Sequence, residues 1–222
     1  MPILAATRSH FVVFSVVNGR ICRWHLLHSC MGNTTTTSYI EWNQMLGLCE
    51  RLKADGLYRD YLLILMGCHF GLRISDLLSL RWDDVWNKDQ VAIIERKTGK
   101  KRTIAIHQRV KQALNHCRPH YETLSWWNQK SPLFANRQGR AIGVSYVNKR
   151  LKWIFLVYRV KTSKASSHVL RKSFGRALWS AHNESERALI FLSEIFGHSN
   201  TAVTRRYLGI TQEEISDAYL KL

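Results

Sequence analysis

From Tyr39 onward, apolar residues recur at helical spacing along most of the chain and alternate in one stretch only. Leu46, Leu48, Cys49 and Leu52 mark a first helix ending near Asp55-Gly56. Tyr58 to Phe70 is apolar on nearly every face, through Leu62, Leu63, Ile64, Leu65 and Met66, which predicts a helix buried all round. Gly71 stops it and sets Arg73 just beyond a helix end; Ser75 to Leu80 adds a helical turn or two, packed through Leu77, Leu78 and Leu80. The alternating stretch follows. Val91, Ile93 and Ile94 lead into Thr98-Gly99-Lys100, and Thr103, Ile104 and Ile106 lead out, as in a β-hairpin. Val110, Ala113, Leu114 and Cys117 predict a helix that Pro119 should break, with a loop over Arg118 to Pro132 holding Trp126 and Trp127. Gly143 to Val160 reads as a helix, Thr162 to Ser167 as a polar connector, and His168 to Ala181 as another helix.

Capping signals order the C-terminal part. Asn183 with Glu186 is expected to open a helix that runs to Phe196 and ends at Gly197. Asn200 or Thr201 then caps a short helix carrying Tyr207. Thr211 with Glu214 opens a last helix striped by Ile215, Ala218, Tyr219 and Leu222. No internal repeat is visible. The expected fold class is α+β, a mostly helical domain with one small antiparallel sheet.

Residues 1–38 have a different character and are expected to be an extension or linker before a domain at 39–222. Phe11 to Val17 is an apolar run far too short to span a bilayer. Its basic neighbours Arg20 and Arg23 follow it, the reverse of a signal peptide. A short strand and an upstream translation outside the native protein both fit. Met31 is an alternative start, and Thr34 to Ser38 reads as a linker.

Composition changes this picture in two ways. The 222 residues suit one domain, or one with an appendage. Net charge is +17, from 33 Lys and Arg against 16 Asp and Glu, which points to a polyanionic partner, nucleic acid before an acidic membrane. The five cysteines are irregularly spaced and form no CxxC pair, which argues for a reducing compartment and against a disulfide framework. Cys49, Cys68 and Cys117 lie in apolar helical patterns and should be buried thiols. His116, Cys117 and His120 lack the second ligand pair of a metal site.

Five segments supply groups suited to phosphodiester chemistry. Arg73 lies in Gly71-Leu72-Arg73-Ile74-Ser75-Asp76, and Lys97 in the turn Glu95-Arg96-Lys97-Thr98-Gly99. His168 and Arg171, three apart on a helix, share a face. His198 follows Gly197, and Tyr207 comes nine residues later. A guanidinium forks two N–H groups onto a phosphate, and two of them can neutralise a pentacoordinate transition state. Tyr207 would be the nucleophile, with Arg205, Arg206 and a histidine supplying the positive charge a phenol needs. Asp76 would orient Arg73 or a histidine. Arg96, Lys100, Lys101 and Arg102 crowd the hairpin and suit DNA phosphates, as do Arg205 and Arg206. Each group also has a plain explanation: an Arg73–Asp76 surface pair, a solvated basic face, or a tyrosine packed on the core.

In this order and spacing the segments resemble the catalytic domain of the tyrosine recombinases, the phage-integrase family. The resemblance covers residues 40–222 and fills six positions: Arg73, Lys97, His168, Arg171, His198 and Tyr207. Phe196 stands where the family usually has leucine. The resemblance implies attack by Tyr207 on duplex DNA, a 3′-phosphotyrosyl link and a free 5′-hydroxyl, with no metal, ATP or other cofactor. It also implies a homotetramer on DNA assembled through the C-terminal helix, an accessory DNA-bending protein in some systems, and a cytoplasmic, DNA-associated place in a bacterium or phage host. Only about 38 residues precede the domain, too few for the family's usual helical core-binding unit, so a truncated or minimal enzyme is expected. Alternatives are a DNA-binding remnant, a type IB topoisomerase and a basic RNA-binding protein.

Overall fold

The helix expected to be buried all round is the centre of the packing. The computed structural model describes residues 15–17, 20–22, 38–162 and 164–210. The chain divides into two units, 1–35 and 36–222. In the first, β1 (Ser15–Val17) pairs antiparallel with β2 (Arg20–Cys22), Val16 opposite Ile21.

The second unit runs α1 (Trp42–Ala54), α2 (Tyr58–Phe70), α3 (Ile74–Leu77), α4 (Trp82–Val85), β3 (Gln90–Ile94), β4 (Lys101–Ala105), α5 (Gln108–Glu122), α6 (Val144–Val157), α7 (His168–Ala181), α8 (Glu186–Phe196) and α9 (Thr201–Leu208). It is mostly helical, with one small antiparallel hairpin, β3 against β4, in which Val91 faces Ile104 and Ile93 faces Arg102. Helix α2 packs against α1, α5 and α7. Its residues 60–68 are all buried, as a helix without a polar face requires. Cys49, Cys68 and Cys117 are buried free thiols in this core.

Two apolar clusters meet at α7. The larger collects α1, α2, α5, α6 and the inner face of the hairpin. The smaller joins Trp179 of α7 to Ala188, Leu189, Leu192 and Phe196 of α8 and Leu208 of α9. At α7 the polar residues Arg171, Lys172 and Ser173 are buried.

Gly71 ends α2 in the left-handed conformation at φ 57°, with the Phe174 ring packed where a Cβ would stand. Gly175 has a different reason for being small. A Cβ there would meet Leu208 at 2.5 Å and Phe196 at 2.9 Å, so α8 and α9 approach α7 only because no side chain intervenes. Gly175→Ala should therefore lift α9, cost about 1–3 kcal/mol in a urea titration, and displace Tyr207, the neighbour of Leu208.

Three local expectations are corrected. Helix α5 continues through Pro119 to Glu122. The carbonyl that loses its partner belongs to Asn115, which is exposed and can be hydrated, so a proline in the last turn is tolerated. The loop therefore begins after Glu122. Ser185, not Asn183, caps α8 by accepting from the Ala188 N–H; Asn183 and Glu184 both take positive φ in the turn before it. Helix α4 was not foreseen, because four residues are too few to show a period; it is closed by Asp84, whose carboxylate accepts from the Arg81 backbone N–H at 2.7 Å. Asn200 caps α9 as expected, accepting from the Val203 N–H. The C-terminal helix expected from Thr211 lies outside the described residues.

Candidate active site

Arg73 is the extended residue that precedes α3, and its side chain reaches across the chain. One terminal nitrogen donates to Glu95 Oε2 at 2.7 Å, and the other to the Phe196 carbonyl at 3.2 Å. Glu95 sits just past β3, continuing the inward register of Val91 and Ile93, and is 4% exposed. Its other oxygen accepts from Arg102 at 2.8 Å, and Thr98 Oγ1 donates to Oε2 at 2.8 Å. Burial alone would raise this carboxyl, but the bonds from Arg102, Thr98 and Arg73 outweigh it and hold it down at about 2.

Arg171 arrives from α7, buried between the two clusters. It donates to the Gly71 carbonyl at 2.6 Å and to the Phe196 carbonyl at 3.0 Å. Both arginines thus converge on one oxygen at the end of α8. Burial lowers the Arg171 guanidinium to about 10, and Arg73 and Arg102 push the same way. Arg73, Arg102 and Arg171 share Glu95 as their carboxylate neighbour, so this group of four carries excess positive charge suited to an anion.

Tyr207 lies on α9 beside this group. Its ring stands edge to face on Phe196 at 5.2 Å and on His198 at 5.3 Å, and the Lys172 amine lies 4.9 Å from its centroid. Its hydroxyl is buried, makes no hydrogen bond of ordinary geometry, and has the Arg171 guanidinium nearby. Burial pushes the phenol up to about 12 against the pull of Arg171 and Arg73. His198 follows the left-handed Gly197 and places Nδ1 2.9 Å from Thr204 Oγ1. Burial, then Arg171 and Arg73, lower its pKa. His168 opens α7 at the surface, with its pKa lowered by partial burial and then by Arg171 and Lys172.

A family model described as the phage integrase family matches residues 38–214. The chain belongs to the phage integrase family. Among curated proteins, this family member is 31% identical over 169 residues to the probable integrase/recombinase YoeC of Bacillus subtilis, covering 72% of this chain and 83% of that one. It is 26% identical over 166 residues to the tyrosine recombinase XerC of Caldanaerobacter subterraneus, covering 73% of this chain but 44% of that one. Among solved structures, the XerA recombinase superposes with a TM-score of 0.66 at 19% identity, over 85% of this chain and 66% of that chain. The XerH recombinase in a post-cleavage complex with palindromic difH substrate gives 0.63 at 21%, over 82% and 52%.

Within this phage integrase domain, the fold gathers Arg73, Arg171, His198 and Tyr207 from four separate elements. Lys97 stays at the exposed tip of the hairpin, two residues from Glu95. Three expected roles change. Asp76 does not orient Arg73; it is buried on α3 and accepts from the Arg96 backbone N–H at 3.1 Å, which ties α3 to the hairpin. Arg102 turns inward onto Glu95 and the Ile195 carbonyl, both at 2.8 Å, instead of offering its charge to solvent. Arg205 pairs with Glu186, so the charge acting on Tyr207 comes from Arg171 and Arg73. Arg96, Lys100, Lys101 and Arg206 are exposed. Glu95 was missed. Its signal was an acidic residue in the inward register of a strand, where only a partnered carboxylate is tolerated.

Proposed function

We propose that this domain breaks and rejoins duplex DNA at specific sites through a 3′-phosphotyrosyl intermediate on Tyr207, without metal or ATP. The observation that supports this reading most is the convergence of Arg73 and Arg171 on the Phe196 carbonyl beside the buried Tyr207 hydroxyl. Their guanidiniums are fixed before any DNA binds, and a scissile phosphate brings the anion the group needs. Attack by the Tyr207 oxygen forms the phosphotyrosyl bond as its proton passes to a histidine of the site, the P–O5′ bond breaks, and Lys97 on its exposed hairpin gives a proton to the leaving oxygen. His168 contributes at the edge of the Arg171 pocket. Arg96, Lys100, Lys101 and Arg206 hold flanking phosphates. Recombination proceeds in a homotetramer assembled through the C-terminal helix, with an accessory bending protein where the site requires one, in the cytoplasm of a bacterium or phage host. Among the described residues no helix is long and apolar enough to cross a membrane.

The test is covalent trapping on nicked duplexes from the source replicon, with EDTA present. A label on the 5′ side of the break should migrate with denatured protein, and a label on the released 5′-hydroxyl fragment should not. Adducts of the opposite polarity, or tight duplex binding without adducts, would overturn the reading.

A further inference from the structure

The group that would take a phosphate already holds an anion. Glu95 Oε2 lies 2.7 Å from the Arg73 guanidinium, and at 4% exposure water does little to screen its charge. Left to itself, this carboxylate would hold Arg73 and repel a phosphate brought to the same guanidinium. Arg102 counters both effects. It stands opposite Ile93 on the inner face of the hairpin, and one terminal nitrogen donates to Glu95 Oε1 and to the Ile195 carbonyl, both at 2.8 Å. Ile195 and Phe196 end α8, where the last carbonyls lack helical partners and carry the negative pole of the helix. Arg102 covers the first of these carbonyls, and Arg73 and Arg171 cover the second. Three guanidiniums thus meet at one carboxylate and one helix end, close enough that Arg73 and Arg102 both lower the Arg171 pKa.

We propose that Arg102 is a positioning residue for DNA cleavage: it neutralises Glu95, so that Arg73 keeps both free N–H groups and uncancelled charge for the scissile phosphate. The proposal rests on the reading of Arg73 and Arg171 as the phosphate clamp beside Tyr207. Arg73 uses one N–H on Glu95 and one on the Phe196 carbonyl, and a guanidinium has others to give. With Arg102 in place, each arginine takes one oxygen of the carboxylate and the cluster stays cationic. Without Arg102, both oxygens fall to Arg73, whose forked N–H groups can close on them together. The charge facing the phosphate then drops by one unit. Arg102 acts through Glu95 and Arg73, and touches neither the phosphate nor Tyr207.

The test is a pair of measurements on the full chain with one nicked duplex from the source replicon: the rate of adduct formation at saturating DNA, and affinity by fluorescence anisotropy. Arg102→Gln keeps an N–H donor and removes the charge. It should form adducts ~10-fold more slowly than wild type and bind the duplex ~5-fold more weakly. Arg102→Lys, which keeps the charge, should recover most of both losses. The deciding variant is the double one. Glu95→Gln should slow the wild type, yet speed Arg102→Gln at least ~5-fold and restore its affinity, because no carboxylate is left to neutralise. An arginine that only braced the hairpin would give losses that add, and the double variant would be the slowest. A double variant no faster than Arg102→Gln, or an Arg102→Gln chain as fast as wild type, overturns the proposal. So does an Arg102→Gln chain that fails to fold with either residue at 95, which would make Arg102 part of the scaffold. If the wild type forms no adduct while the affinities reverse as expected, the reading of the site falls and the charge balance stands, so the two failures are separable.

Discussion

Tyr207→Phe should abolish DNA-linked protein, by at least ~10³-fold, while leaving a fold nearly as stable as the wild type. The two halves of this expectation have separate causes. Chemistry is lost because the phenol oxygen is the atom that bonds to phosphorus. Stability is kept because that oxygen is buried and makes no hydrogen bond of ordinary geometry, so its removal costs little beyond a loose contact with Arg171. The ring contacts with Phe196, His198 and Lys172 remain. Denaturant midpoints and denaturing gels of the trapped complex, measured on the same preparation, check both halves. A Tyr207→Phe protein that still forms adducts would move the nucleophile elsewhere, with Tyr219 the first alternative.

Glu95→Ala is expected to damage the site most without removing a group that touches DNA. It leaves Arg73 and Arg102 without their carboxylate and releases the hairpin that carries Lys97. Breaking a largely buried pair of this kind costs about 3 kcal/mol, and the loosened Arg73 should slow adduct formation ~10²-fold. The pH dependence has a definite sign. The carboxyl falls from its ordinary value of 4.5 to about 2 in the folded chain, so folding favours its ionised form. That contribution is complete above pH ~5 and is lost as pH falls through about 2, below which both states bind the proton. In urea titrations the gap between wild type and Glu95→Gln should be widest near neutrality and shrink below pH ~4. A gap that stays constant down to pH ~3 would show that the Glu95 charge contributes nothing.

Local pattern was enough for the longer helices and for placing the candidate site residues on them. The apolar faces of 58–70 name the central helix, alternation around Gly99 names the hairpin, and Gly71 and Gly197 mark helix ends beside Arg73 and His198. His168 and Arg171 share a helix, and Asn200 caps the helix that holds Tyr207. These are short-range properties, set by backbone sterics, capping and the helical period, so one stretch of chain suffices to read them.

Partnerships between distant segments were a different matter. Asp76 is three residues from Arg73, the spacing of a helical pair, yet Arg73 is the extended residue before α3, where that rule does not hold. Its carboxylate is Glu95 on the hairpin, and its second acceptor is the Phe196 carbonyl, 123 residues away. The inward turn of Arg102 and the pairing of Arg205 with Glu186 follow the same principle. Periodicity tells which face of an element is apolar and leaves open which element will cover it. The sequence by itself determined the longer helices, the hairpin and most of the candidate site residues. Tertiary packing alone decided which charges meet, because a buried charge takes whatever partner the packed elements bring within reach.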